Sequence, residues 1–143
     1  MTSTTDVPLG EGFLIDSNVL LDIFGGESEW RQWSAATIAQ CIRAGACHIN
    51  PMIFSEVSYG FDDLEQLEAV LPSDVFRHSA LPFPAAFLAA RSHHAYRRRG
   101  GTKVATLPDF FIGAHAVVEG LTLVTRDPRR YRLAFPSLKL VAP

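Results

Sequence analysis

Short apolar runs separated by stretches of helical spacing constrain this chain more than any other feature. Phe13-Leu14-Ile15, Ala46 to Ile49, Val75 to His78, Leu121 to Thr125 and Leu138 to Val141 are three to five residues long and read as strands. Between them lie helix-like segments with their own punctuation. Val19 to Phe24 is stopped by Gly25-Gly26, and Ser28 is the expected N-cap of a helix running to about Ala44. Trp30, Trp33, Thr37, Ile38 and Cys41 recur along that helix at helical spacing. Asn50-Pro51 supplies an N-cap and a first-turn proline for Met52 to Tyr59. Asp62 to Leu71, Pro82 to Arg99 and Thr106 to Glu119 complete the set, the second carrying Phe83, Phe87, Ala90 and His94 along one side. Strands this short and apolar, alternating with helices, imply a parallel sheet with helices on both faces.

With 143 residues the chain suits one domain with one core, expected over residues 12–143 behind a polar tail of residues 1–11. Hydrophobic residues make up 48%, as in ordinary folded proteins. The net charge of −2 argues mildly against a broad phosphate-binding surface, but not against an enzyme that holds phosphate through bound cations. Two cysteines, Cys41 and Cys47, make no disulfide framework and complete no zinc ligand set, so they are expected to be small buried hydrophobes. No run approaches a membrane span and the N-terminus lacks a signal-peptide pattern, so the cytoplasm is the expected location.

In an open parallel sheet, ligands bind at the carboxyl ends of the strands. Asp16 directly follows the first strand, Asp127 closes the Leu121 strand, Glu56 lies in the helix after the second strand, and Asp109 opens the Thr106 helix. Each acid has a local explanation. Thr106 to Asp109 fits a capping box, Asp127-Pro128 an N-cap with a first-turn proline, Asp16 a cap, and Glu56 a solvated helix position. Together they are harder to explain, because clustered carboxylates repel one another unless cations neutralise them. Mg²⁺ takes one or two carboxylates with waters and phosphate oxygens, and a metal so held suits phosphodiester hydrolysis.

Phe13 to Leu21, with its strand ending in Asp16-Ser17-Asn18, resembles the opening motif of PIN-domain nucleases. Ile49-Asn50-Pro51 through Glu56, Leu107 to Ala116 with Asp109, and Gly120 to Asp127 resemble that family's second, third and fourth acidic motifs, in the family's order. Size and wording are most similar to VapC toxins of toxin–antitoxin pairs. The resemblance implies a Rossmann-like three-layer sandwich with a mostly parallel sheet of four to five strands. It implies a Mg²⁺- or Mn²⁺-dependent endoribonuclease acting on RNA, a VapB-like antitoxin as partner, and a homodimer. Carried over by position, Asp16, Glu56, Asp109 and Asp127 would be catalytic metal ligands. Ser17, Asn18 and Thr125 would orient the carboxylates, or serve as turn and cap hydrogen bonds.

Arg97-Arg98-Arg99, Lys103 and Arg126 are candidate RNA contacts, with a solvated helix end as the plain alternative for the first group. Arg129, Arg130 and Arg132 also flank Asp127 and could offset the acidic pocket or meet phosphate, with ordinary surface charge as the plain alternative. His93, His94 and His115 are expected to be structural or exposed rather than catalytic. Trp30 and Trp33, if exposed, would suggest a partner groove; core packing is the competing explanation. Other enzymes that place an Asp after the first strand fit less well. A haloacid-dehalogenase phosphatase needs a second Asp where Asn18 stands, a receiver domain needs an acidic pair, and a dinucleotide enzyme needs G-x-G-x-x-G. The alternative from another class is a catalytically silent PIN-fold module that binds RNA or protein.

Overall fold

A computed structural model describes Val7, residues 12–100 and residues 105–143. Most of the expected tail and Lys103 lie outside the described residues. In chain order the elements are β1 (Phe13–Ile15), α1 (Ser17–Phe24), α2 (Arg31–Ala44), β2 (Cys47–Ile49), α3 (Pro51–Ser58), α4 (Leu64–Val70), β3 (Phe76–His78), α5 (Phe83–Arg98), α6 (Leu107–Glu119), β4 (Thr122–Val124), α7 (Arg129–Arg132) and β5 (Leu140–Val141). All five expected strands are present.

The strands form one sheet in the order β3-β2-β1-β4-β5, and every neighbouring pair is parallel. β1 is central and fully buried, as is β4 beside it, which explains why β1 reads as an unbroken apolar run and why even Thr122 of β4 is buried. The chain winds outward from β1 through β2 to β3, then returns to the other side of β1 for β4 and β5. The switch point of the topology therefore lies between β1 and β4, whose register pairs Ile15 with Val124. The residues that follow these two strands, Asp16 and Thr125, stand side by side at the carboxyl edge.

The helices close over the sheet as the apolar spacing suggests, with several changes in detail. Ser28 does not cap α2, which begins after Trp30. Its hydroxyl donates to Asp22 at 2.8 Å and accepts from the Trp30 N–H, because the buried Asp22 carboxylate needs the donor. Trp33 is buried and Trp30 packs half-buried against the core, so the partner-groove idea has no exposed tryptophan pair to rest on. The Phe83, Phe87, Ala90 and His94 side of α5 faces solvent, with Phe83 91% exposed. The core side of α5 is instead Ala85, Ala89 and Tyr96, where two alanines allow close approach to α6. Cys41 and Cys47 are both free and buried. α6 ends at Gly120, whose φ of +65° is the left-handed cap that glycine adopts at low cost. Among the described residues no helix is long and apolar enough to cross a membrane.

Candidate active site

Asp16 leaves β1 with its backbone N–H bonded to Val124 O at 2.9 Å, so the sheet itself aims its side chain. Asp16 is 3% exposed. Its Oδ1 accepts from the Ser17 N–H, and its Oδ2 accepts from the hydroxyls of Thr125 and Tyr131, each at 2.8 Å. Burial pushes the Asp16 carboxyl up to about 6. The two hydroxyls work against that rise, and the nearby charges of Asp109 and Glu56 add to it. Tyr131 is itself buried beside these carboxylates, which holds its phenol well above the usual range and keeps it a neutral donor.

Glu56 reaches the same place from α3. Its Oε1 accepts from Ser17 Oγ at 2.9 Å, which ties Glu56 to the residue after Asp16. Burial raises the Glu56 carboxyl, and the charge of Asp109 raises it further, against the Ser17 hydrogen bond and Arg130. Asp109, 3% exposed, lies in the first turn of α6. Its Oδ2 accepts from the Thr106 N–H at 2.7 Å and the Thr106 hydroxyl at 3.1 Å. The capping role and the site role therefore fall on different oxygens of one carboxylate, because Oδ1 turns towards Arg130 at 3.6 Å.

Asp127 stands apart from these three. Burial alone would raise its carboxyl, but hydrogen bonds and charges from Arg129 and Arg130 outweigh it and hold the group below the ordinary value. Its oxygens accept from Arg129 Nε at 3.2 Å and Arg130 Nε at 3.1 Å, and its N–H donates to Thr125 Oγ1 at 3.1 Å. The expected N-cap at Asp127 is thus replaced by ion pairs, and α7 starts after Pro128. The acids divide into an inner three, Asp16, Glu56 and Asp109, and an outer one joined to them through Arg130.

Ser17 and Thr125 touch this cluster directly, and Asn18 reaches it through Thr125. Thr125 Oγ1 donates to Asp16 while accepting from Asn18 Nδ2 at 3.3 Å and from the Asp127 N–H. Asn18 Oδ1 accepts from the Arg126 N–H at 3.2 Å, locking the turn after β4 to α1. Arg126 Nε donates to Oδ2 of buried Asp22 at 2.9 Å, and the Ser34 hydroxyl donates to the same oxygen at 2.8 Å. Arg97, Arg98 and Arg99 are exposed around the last turn of α5. Among the described residues none of them is ion-paired to the carboxylates. His115 is buried, with Nδ1 bonded to the Asn50 amide at 3.0 Å, and His93 packs on Phe110.

Three participants escaped the sequence reading or were underweighted by it. Asp22 sits inside the apolar run Val19 to Phe24, and an acid in such a run signals a buried partner. Arg130 and Tyr131 follow Asp127-Pro128 by less than a turn of helix, a spacing that places them near the acid if the proline starts a helix. α7 reaches the site because Gly113 on α6 leaves room for Phe135. A Cβ at Gly113 would stand 2.5 Å from the Phe135 ring and 3.2 Å from Tyr131.

Among the described residues no group of three or more His, Cys, Asp or Glu side chains is placed so that together they could hold a metal ion. The donor set suits a hard cation nonetheless. Mg²⁺ needs only one or two carboxylates, completing its octahedron with water and phosphate oxygen. Asp16 Oδ1, with a single donor, Asp109 Oδ1 and the Glu56 oxygen that Ser17 does not bond are the oxygens left for it. A buried carboxyl raised to about 6 by its surroundings is the kind of group a cation stabilises.

The PIN domain family model matches residues 13–136. The structure of VapBC2 from Rickettsia felis bound to a DNA fragment from their promoter contains a similar chain, at 16% identity and a TM-score of 0.72, covering 92% of this chain and 98% of that one. DNA-bound VapBC from Salmonella typhimurium is similar at 19% identity and a TM-score of 0.68, with 92% and 98% covered. VapBC-1 from nontypeable Haemophilus influenzae is similar at 13% identity and a TM-score of 0.70, with 92% and 97% covered. These likenesses are likenesses of fold. No curated protein matches the sequence.

Proposed function

The chain belongs to the PIN-domain family, and from that premise we propose that it is a Mg²⁺- or Mn²⁺-dependent endoribonuclease, the toxin of a toxin–antitoxin pair. The observation that carries this reading is the convergence of Asp16, Glu56 and Asp109 at the switch point between β1 and β4. A bound divalent cation would supply water activation and neutralise charge on the phosphoryl oxygens.

The chain's own residues do the rest. Thr125 and Tyr131 fix the rotation of Asp16 by occupying Oδ2, which leaves Oδ1 as the ligand atom. Ser17 holds Glu56 by one oxygen, leaving the other to accept a proton or orient a water. Thr106 holds Asp109 in the same one-sided way. Asp127 holds the arginine pair of α7 beside the site, where a phosphodiester would lie. RNA is the substrate in this reading, by resemblance to VapC toxins. The similarity to chains of several VapBC complexes supports a VapB-like antitoxin as partner. A homodimer is part of the same proposal.

Titrating Mn²⁺ into the protein and into Asp16→Asn tests the metal; saturable binding by the first and weakened binding by the second are expected. Metal-dependent cleavage of RNA should fall on the order of a hundredfold in Asp109→Asn. Cleavage that survives both EDTA and this substitution would sink the assignment. Saturable Mn²⁺ binding without any cleavage would favour the silent binding module.

A further inference from the structure

The inner carboxylates are each satisfied on one side. Asp16 Oδ2 already accepts from Thr125 and Tyr131, and Asp109 Oδ2 from the N–H and hydroxyl of Thr106. An oxygen with two donors has no further lone pair to offer. The atom of Asp109 that remains is Oδ1, and the group facing it is Nη1 of Arg130 at 3.6 Å. The same guanidinium donates through Nε to Asp127 at 3.1 Å. Arg130 is 40% exposed, so it can swing outward without disturbing the core.

A divalent cation at Asp109 would need the oxygen that Arg130 faces. It would also meet the guanidinium's positive charge, which Asp127 and solvent offset only in part. A guanidinium displaced from a carboxylate remains a strong partner for phosphate, since its planar fork matches either anion. We propose that Arg130 is a displaceable counter-cation, holding Asp109 Oδ1 until a divalent cation enters and then binding the RNA phosphate. Asp127 keeps the arm tethered at Nε while its tip moves. The proposal rests on the nuclease reading above.

The test is calorimetric titration of Mn²⁺ into the full chain, Arg130→Gln and Arg132→Gln. Arg132 is exposed on the same short helix and carries the same charge. Arg130→Gln should bind Mn²⁺ roughly threefold to tenfold more tightly, and Arg132→Gln should stay within about twofold of the parent. At saturating Mn²⁺, KM for an oligoribonucleotide should rise in Arg130→Gln by more than kcat falls. Unchanged or weaker Mn²⁺ binding by Arg130→Gln would overturn the proposal, as would equal tightening by both variants or an unchanged KM. If the parent chain binds no Mn²⁺, the nuclease reading fails and this proposal with it. If the parent binds and only the tightening is missing, the proposal alone falls.

Discussion

Asp16 accepts three hydrogen bonds, and two come from hydroxyls that have different reasons to be there. Thr125 is placed by the strand register, whereas Tyr131 arrives from a helix more than a hundred residues along the chain. Tyr131→Phe keeps the ring and removes one donor to a buried charge. Its expected effect is a further rise in the Asp16 carboxyl and a loss of Mn²⁺ affinity of roughly tenfold at about pH 6.5, partly recovered at about pH 8. Titrations at the two pH values check this; identical affinities for parent and variant would show that Thr125 and Ser17 hold Asp16 without help. At this scale the sequence was informative about acids that end strands. It was uninformative about Tyr131, because nothing local distinguishes a tyrosine that bonds a carboxylate from one that fills a core.

α7 is four residues long and would have no stability alone. Its place is set by Tyr131, fully buried, and by Phe135, which packs on Phe110 with ring centroids 6.0 Å apart and sits over Gly113. Gly113→Ala puts a methyl group into that ring. The expected cost is about 1–3 kcal/mol of stability, read from the urea midpoint, together with weaker Mn²⁺ binding as Tyr131 is pushed from Asp16. An unchanged midpoint would mean that the Phe135 ring gives way freely. The longer elements were legible in the sequence because their apolar spacing and stop signals are local. The start of α2 and the solvent-facing side of α5 were not. Asp22 claims the Ser28 hydroxyl from across a turn, and α6 selects the alanine face of α5 over the phenylalanine face.

For the whole molecule, the carboxylate cluster makes stability depend on pH. Asp16 titrates at about 6 when folded against an ordinary 3.8, so the folded chain holds this proton more tightly than the unfolded one. The contribution is full below the unfolded value and falls as pH rises through the folded value, a loss of roughly 3 kcal/mol across that window. Asp127 has the opposite sign, with stability present above its ordinary value and lost as pH falls through its depressed one. Urea titrations of the parent and Asp16→Asn should therefore diverge between about pH 4 and pH 7, with the parent losing relative stability as pH rises. On the proposed reading Mn²⁺ should restore more stability to the parent at about pH 7.5 than at about pH 5, because a proton and the cation would then compete for the same carboxylate. Equal Mn²⁺ shifts in Tm at both pH values would remove Asp16 from the ligand set.

The order of apolar runs, the parallel sheet and the strand-end acids are written in the sequence, because each depends on neighbours a few residues apart. The family motifs lie in the same local stretches, and the family match covers them. What the tertiary structure alone decided is how the four acids are shared out. Packing of α7 onto Gly113 brings Tyr131 to Asp16 and sets Arg130 between Asp109 and Asp127. The charge of Asp109 thereby bears on Asp16 and Glu56, while Asp127 is held by Arg129 and Arg130. That division follows from burial and from charge at a few ångströms, and neither quantity exists until the chain has folded.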